Sequence, residues 1–161
     1  MADFAILDYR YAVRSSKSPD RSYKPRNITI PPAKPQTNLP THPAYPTLMF
    51  EIAHRNETYA RLKHDARRKT FSARTSIQVV VGIKLYRRHF QVFWGRRATV
   101  GRGMKIVKQT PKLFINRMTR RVFNIPANLI FWGVPTPPPL PSQYLSLSLE
   151  ILRQEIAPYM M

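Results

Sequence analysis

The stretch IQVVVGIKLYRRHFQVFW, residues 77 to 94, decides the fold. Ile77, Val79, Val81, Ile83 and Leu85 alternate with Gln78, Val80, Gly82, Lys84 and Tyr86, the period of two that belongs to a strand. Val80 makes the first half apolar on both sides, which predicts a central strand covered on both faces. Arg87 and Arg88 separate this run from HFQVFW, close enough for a hairpin.

On the amino-terminal side, TLMFEIA (47–53) alternates as well. Leu48, Phe50 and Ile52 point one way and Thr47, Met49, Glu51 and Ala53 the other. Then comes RNETYARLKHDARRKTFSA, where Asn56 can cap a helix with Glu57 in its first turn. Tyr59, Leu62, Ala66 and Ala73 follow helical spacing, and Glu57 with Arg61 and Asp65 with Lys69 are i,i+4 pairs. Strand, helix, strand, strand is the order of an α/β (α+β) fold, a mixed central sheet with a helix on one face.

Further out the pattern weakens. GRRATVGRGMKIVKQTPK (95–112) is basic and the least patterned stretch, and its GRG lacks the Lys-Ser/Thr of a phosphate loop. KLFINRMTRRVFNIP is compatible with a strand or a short helix. YLSLSLEILRQEIAPYM alternates Leu with Ser and passes near Ser148 into a short helix carrying Leu149, Leu152 and Ile156. Residues 1–30 hold short mixed segments around Phe4, Ile6, Leu7, Tyr9, Tyr11 and Val13. Six of the 16 prolines fall between Pro31 and Pro46 and five between Pro135 and Pro141, predicting extended connections at 31–46 and 135–141. At 161 residues the whole chain, 1–161, reads as a single domain.

The formal charge is +19, from 27 Lys and Arg against eight acids. Between Asp65 and Glu150 there are 16 cations and no carboxylate. A polyanion, DNA or RNA, is the expected partner, because each phosphate neutralised by Lys or Arg releases counterions. Anionic lipid and an acidic protein are the alternatives. There is no cysteine, hence no disulfide and no Cys-based zinc site. The amino terminus lacks a basic start followed by an apolar run, and no apolar stretch approaches the roughly 20 residues that span a bilayer, so an intracellular (nuclear or cytoplasmic) protein without a membrane association is expected. His42, His54, His64 and His89 have no spacing suited to a metal site.

The acids are few enough to weigh singly. Asp3, Asp8, Glu150 and Glu155 are terminal, and Glu57 and Asp65 have helical ion-pair partners, which leaves Asp20 and Glu51. Carboxylates that hold Mg²⁺, with a lysine nearby, are the groups metal-assisted phosphodiester hydrolysis requires. The structural alternative makes Glu51 a strand carboxylate neutralised by Arg55 or another arginine, and Asp20 a turn residue after Pro19.

SPDRSYKP, YPTLMFEIAH, LKHDARR and IQVVVGIKLY together resemble the PD-(D/E)XK nuclease superfamily, in particular its Uma2-like restriction-endonuclease domains. LSLSLEILRQEI is similar to the strand-and-helix ending of those domains. The resemblance implies a restriction-endonuclease-like fold and a Mg²⁺-dependent nuclease. Asp20 matches the first acidic position, Glu51 the strand carboxylate and Lys84 the lysine of the later strand, making Asp20 and Glu51 the implied metal ligands and all three the implied catalytic set. The third residue of the E-x-K triplet is Ala53, so the lysine must come from Lys84 or from helical Lys63. For phosphate contacts the candidates are Arg87, Arg88, Arg96, Arg97, Arg102, Lys105 and Lys108, interleaved with Tyr86, Phe93 and Trp94 that either stack bases or belong to the core. The rival reading is a non-catalytic basic protein that binds nucleic acid or joins a ribonucleoprotein.

Overall fold

The structure, a computed structural model, describes residues 4–7, 21–25, 47–54, 56–71, 77–100, 103–117, 120–132 and 142–160. Its larger sheet runs β1 (Phe4–Leu7), β2 (Arg21–Pro25), β3 (Leu48–Ala53), β4 (Val79–Leu85), β5 (His89–Arg97) and β6 (Met104–Gln109), with the short β7 (Leu113–Phe114) also paired to β5. Every neighbour pair is antiparallel except β3 and β4, which run parallel from Leu48 opposite Val79 to Ala53 opposite Lys84. Parallel neighbours need a crossover, and α1 (Tyr59–Phe71) supplies it. A two-stranded antiparallel sheet, β8 (Val122–Pro126) with β9 (Tyr144–Ser148), is accompanied by the short α2 (Ala127–Ile130) and by α3 (Leu149–Ile156). The mixed α+β class expected from the sequence is present.

The alternation in β3 and β4 builds two cores, one on each face. On one face Met49, Ala53, Val80 and Phe93 pack under Leu62 and Ala66 of α1, and the two alanines let the helix approach closely. On the other, Leu48, Val79, Val81, Ile83, Phe90 and Trp94 pack against Phe123, Ile125, Leu149 and Ile156. The layers are therefore α1, the large sheet, and the β8–β9 unit with its helices. Every residue of β4 is buried, as the two-sided apolar reading requires. At roughly 1.5–3 kcal/mol per buried large apolar side chain, the two-faced burial of β4 and β5 is the main organising force.

Gly82 lies opposite Phe93 in the β4–β5 ladder and gives its ring room, since a Cβ there would stand 2.1 Å from Phe93 Cε1. Both Phe93 and Trp94 are core residues, which removes them as base-stacking surfaces.

Several local expectations need correction. The cap of α1 is Thr58, whose Oγ1 accepts from Arg61 N at 3.1 Å; Asn56 and Glu57 precede the helix, Glu57 N donating to His54 O. Asp65 pairs with Arg61 at 3.1 Å, while Lys69 turns toward the sheet. Ile77 packs with the α1-side core, not with Val79, because Gln78 N and Val79 N both donate to Thr47 O and this irregularity offsets the alternation at the strand's entry. The poorly patterned 95–112 contains β6, joined to β5 with a register shift at Trp94/Gly95 that masks its period. The undecided segment after it forms two strands, β7 and β8. Ser148 caps α3 as its position suggests, its hydroxyl accepting from Ile151 N. Residues 31–46 and 135–141 lie outside the described residues. No helix among the described residues is long and apolar enough to cross a membrane.

Candidate functional site

Glu51 stands in the middle of β3 on the face covered by α1, and it is buried at 6% exposure. The face opposite Leu48, Phe50 and Ile52 is thus not an open one. Lys69 reaches down from the last turn of α1 and donates from Nζ to Glu51 Oε1 at 2.5 Å. This ion pair ties the crossover helix to the sheet it covers; Arg55, the arginine suggested as a partner, lies outside the described residues.

Lys84 lies on the same face of the neighbouring strand. Glu51 is opposite Gly82 and Ala53 opposite Lys84, so the lysine stands two residues further along. It is 2% exposed, its Nζ donates to the backbone carbonyl of His54, and the ammonium lies 4.9 Å over the Tyr86 ring. Burial pulls its pKa below the ordinary lysine range, and Glu57 partly offsets that pull. Glu51 and Lys84 are thereby brought to one face but held by different partners.

Two tyrosines complete this end of the sheet. Tyr59, on the first turn of α1, sets its ring edge-on to Phe93 at 5.9 Å with Lys63 Nζ 4.8 Å from its own centroid. Its hydroxyl is buried and has no hydrogen-bond partner among the described residues. Burial, with a smaller contribution from Tyr86, pushes the phenol up to about 12. Tyr86 donates to Gln91 Oε1 at 2.8 Å.

A folded-state pKa above the unfolded 10.0 means that Tyr59 contributes stability below pH 10 that is lost as pH rises toward 12. Tyr59→Phe removes an unsatisfied buried donor and is expected to stabilise the fold by about 1 kcal/mol at pH 7. Its advantage over the wild type should widen between pH 9 and 11. Urea unfolding at the two pH values checks this, and a destabilised phenylalanine variant would show that the hydroxyl is satisfied.

Asp20 lies outside the described residues; Arg21, next to it in sequence, pairs with Phe50, next to Glu51. Among the described residues no group of three His, Asp or Glu side chains converges. The described carboxylate here is Glu51, held by an ammonium, which does not by itself fit a Mg²⁺ site.

The expected phosphate contacts separate into two groups. Arg87 and Arg88 are exposed in the turn joining β4 to β5, whereas Arg96 and Arg97 at the far end of β5, with Lys105 opposite Arg96 on β6, are about 26 Å away at 3.3 Å per residue. Arg97 is half-buried, its Nε donating to Ile77 O at 3.1 Å. Lys108 is exposed yet donates to Val122 O at 3.2 Å and lies over Phe123, bracing β6 on β8. Arg102 is outside the described residues. Sequence reasoning missed Lys112, Arg117, Arg120 and Arg121, all exposed, because the segment carrying them had no readable period. It also missed Tyr59 and Lys69, whose helical spacing gave no sign of what α1 covers.

On the opposite side of the sheet an open cleft of about 400 Å³ is lined by Pro126, Ala127, Phe131 and Tyr144 among others. It holds none of the candidate residues.

Comparison with protein-family models, with curated proteins and with solved structures gives no match to this chain.

Proposed function

We propose that this chain is a nucleic-acid-binding protein that grips the phosphate backbone with the cations of its β4–β8 region. One observation carries the reading. From Arg87 to Arg121, eight cations are exposed (Arg87, Arg88, Lys105, Lys108, Lys112, Arg117, Arg120 and Arg121) in a part of the sequence that has no carboxylate at all. The excess of exposed cations there is neutralised most completely by a polyanion. The two ends of β5, about 26 Å apart, match some eight nucleotides along one strand at about 3.4 Å each.

A second reading is Mg²⁺-dependent phosphodiester cleavage by Asp20, Glu51 and Lys84. The placement of Glu51 and Lys84 on one face of adjacent parallel strands favours it. It stands second because Glu51 is engaged by Lys69.

Titrating labelled single- and double-stranded DNA and RNA at several salt concentrations tests both. With four to six phosphate contacts, log affinity should fall against log salt with a slope of about −3 to −5. Replacing Arg87 and Arg88 together by alanine should flatten that slope by about 1.5. An affinity indifferent to salt would overturn the binding reading. Cleavage with Mg²⁺ or Mn²⁺ that disappears in Glu51→Gln would move the second reading to first place.

A further inference from the structure

Tyr86 just past the end of β4, His89 of β5 and Phe114 of β7 form a row of rings at the Arg87–Arg88 end of the sheet. Tyr86 and His89 flank the two-arginine turn, Tyr86 N donating to His89 O at 2.9 Å, and their rings stack at 4.2 Å and 17°. Phe114 of β7 is paired with His89 across the next ladder, its ring 5.7 Å from the imidazole and tilted by 50°. Ile115 N donates to Arg88 O, holding β7 against the turn.

Exposure rises along the row, from half-buried Tyr86 and His89 to Phe114 at 45%. A lone exposed phenylalanine is ordinary. This one has a cation against it: Arg117 lies 5.6 Å from the Phe114 centroid, and exposed Lys112 lies 5.9 Å from that of Tyr86. Burial, helped by Lys112, lowers the His89 pKa, which favours the neutral ring stacked on Tyr86. Its Nε2 is buried with no partner among the described residues.

We infer that Phe114, backed by the stacked Tyr86–His89 pair, is a stacking platform for an unpaired base, which makes single-stranded nucleic acid the preferred partner. The inference rests on the nucleic-acid reading above and specifies it. Aromatic faces beside mobile cations are what a single strand uses, its bases stacking on rings while its phosphates meet Lys and Arg. Bases in a duplex stack on each other and present no free face. A base seated on Phe114 takes the side of the ring where Arg117 now lies, and the guanidinium is then released toward the adjacent phosphate.

The test uses a fluorescein-labelled 20-nucleotide single-stranded DNA of mixed sequence and the same strand annealed to its complement. Fluorescence anisotropy is read with wild type, Phe114→Ala, Phe114→Leu and Phe114→Tyr, and a thermal melt verifies that each variant is folded. Phe114→Ala and Phe114→Leu should weaken single-strand binding about 5- to 150-fold. Duplex binding should change by less than twofold, and Phe114→Tyr should match wild type. The leucine variant keeps the apolar contact without the π face, so its failure to bind is not a loss of packing. Equal effects of Phe114→Ala on both forms, or none on either, overturn the platform and leave the phosphate reading standing. Wild type binding neither form, nor the RNA of the same sequence as a single strand or a duplex, overturns both.

Discussion

Glu51→Ala is expected to cost the fold about 3–5 kcal/mol, the loss that follows when one member of a buried ion pair is removed and the other is left without its counter-charge. Lys69 donates to that carboxylate at 2.5 Å, and the two side chains are only 15% and 8% exposed. Because the pair bridges the last turn of α1 to the centre of β3, the Lys69 ammonium then either stays desolvated without this carboxylate or pulls the helix end away. The double variant Glu51→Ala/Lys69→Met should recover most of the loss, since an apolar pair of similar reach removes both desolvation penalties. Urea-induced unfolding of the single and double variants closes the cycle. A single variant that loses less than about 1 kcal/mol would mean that the pair is screened as a surface bridge is.

Gly82→Ala is the second large effect. The added Cβ would meet Phe93 Cε1 at 2.1 Å and Cζ at 2.3 Å, far inside van der Waals contact. Phe93 is wholly buried beneath α1, so its ring can swing only against the core residues packed around it. Overpacking of this kind costs about 3 kcal/mol, or roughly 6–12 °C in Tm for a chain of this size. Gly82→Ala combined with Phe93→Leu should melt above Gly82→Ala alone, because the shorter side chain vacates the contested space. Differential scanning calorimetry of the three proteins provides the comparison. An unchanged melting temperature in the single variant would show that β4 and β5 are not in the register that opposes these two residues.

Much of the fold was legible because burial imposes short periods on the chain. The two-sided apolar run of β4, the alternation in β3, and the Leu/Ser alternation closed by Ser148 each reflect one strand or cap meeting its own local requirement. Where local structure departs from a clean period, legibility failed. Two N–H groups sharing Thr47 O moved Ile77 to the other core, and the register shift at Trp94/Gly95 concealed β6. β7, only two residues long, is a strand because β5 offers it an edge, a condition no two-residue sequence can announce.

The candidate site divides in the same way. Charge is additive along a chain, so the acid-free, cation-rich interval was fully determined by sequence. Alternation alone also set Glu51 on the face away from Leu48, Phe50 and Ile52. Which group meets Glu51 depended on tertiary structure: the i,i+4 rule assigned Lys69 to Asp65, but α1 lies across β3, where Lys69 reaches the buried Glu51 while Asp65 pairs with Arg61. Likewise, an alternating pattern cannot say that Phe93 and Trp94 face two separate cores while Tyr86, His89 and Phe114 line up at a sheet end. That row exists only because β4, β5 and β7 are hydrogen-bonded neighbours, which places side chains from residues 86 to 114 within one ring's width of each other.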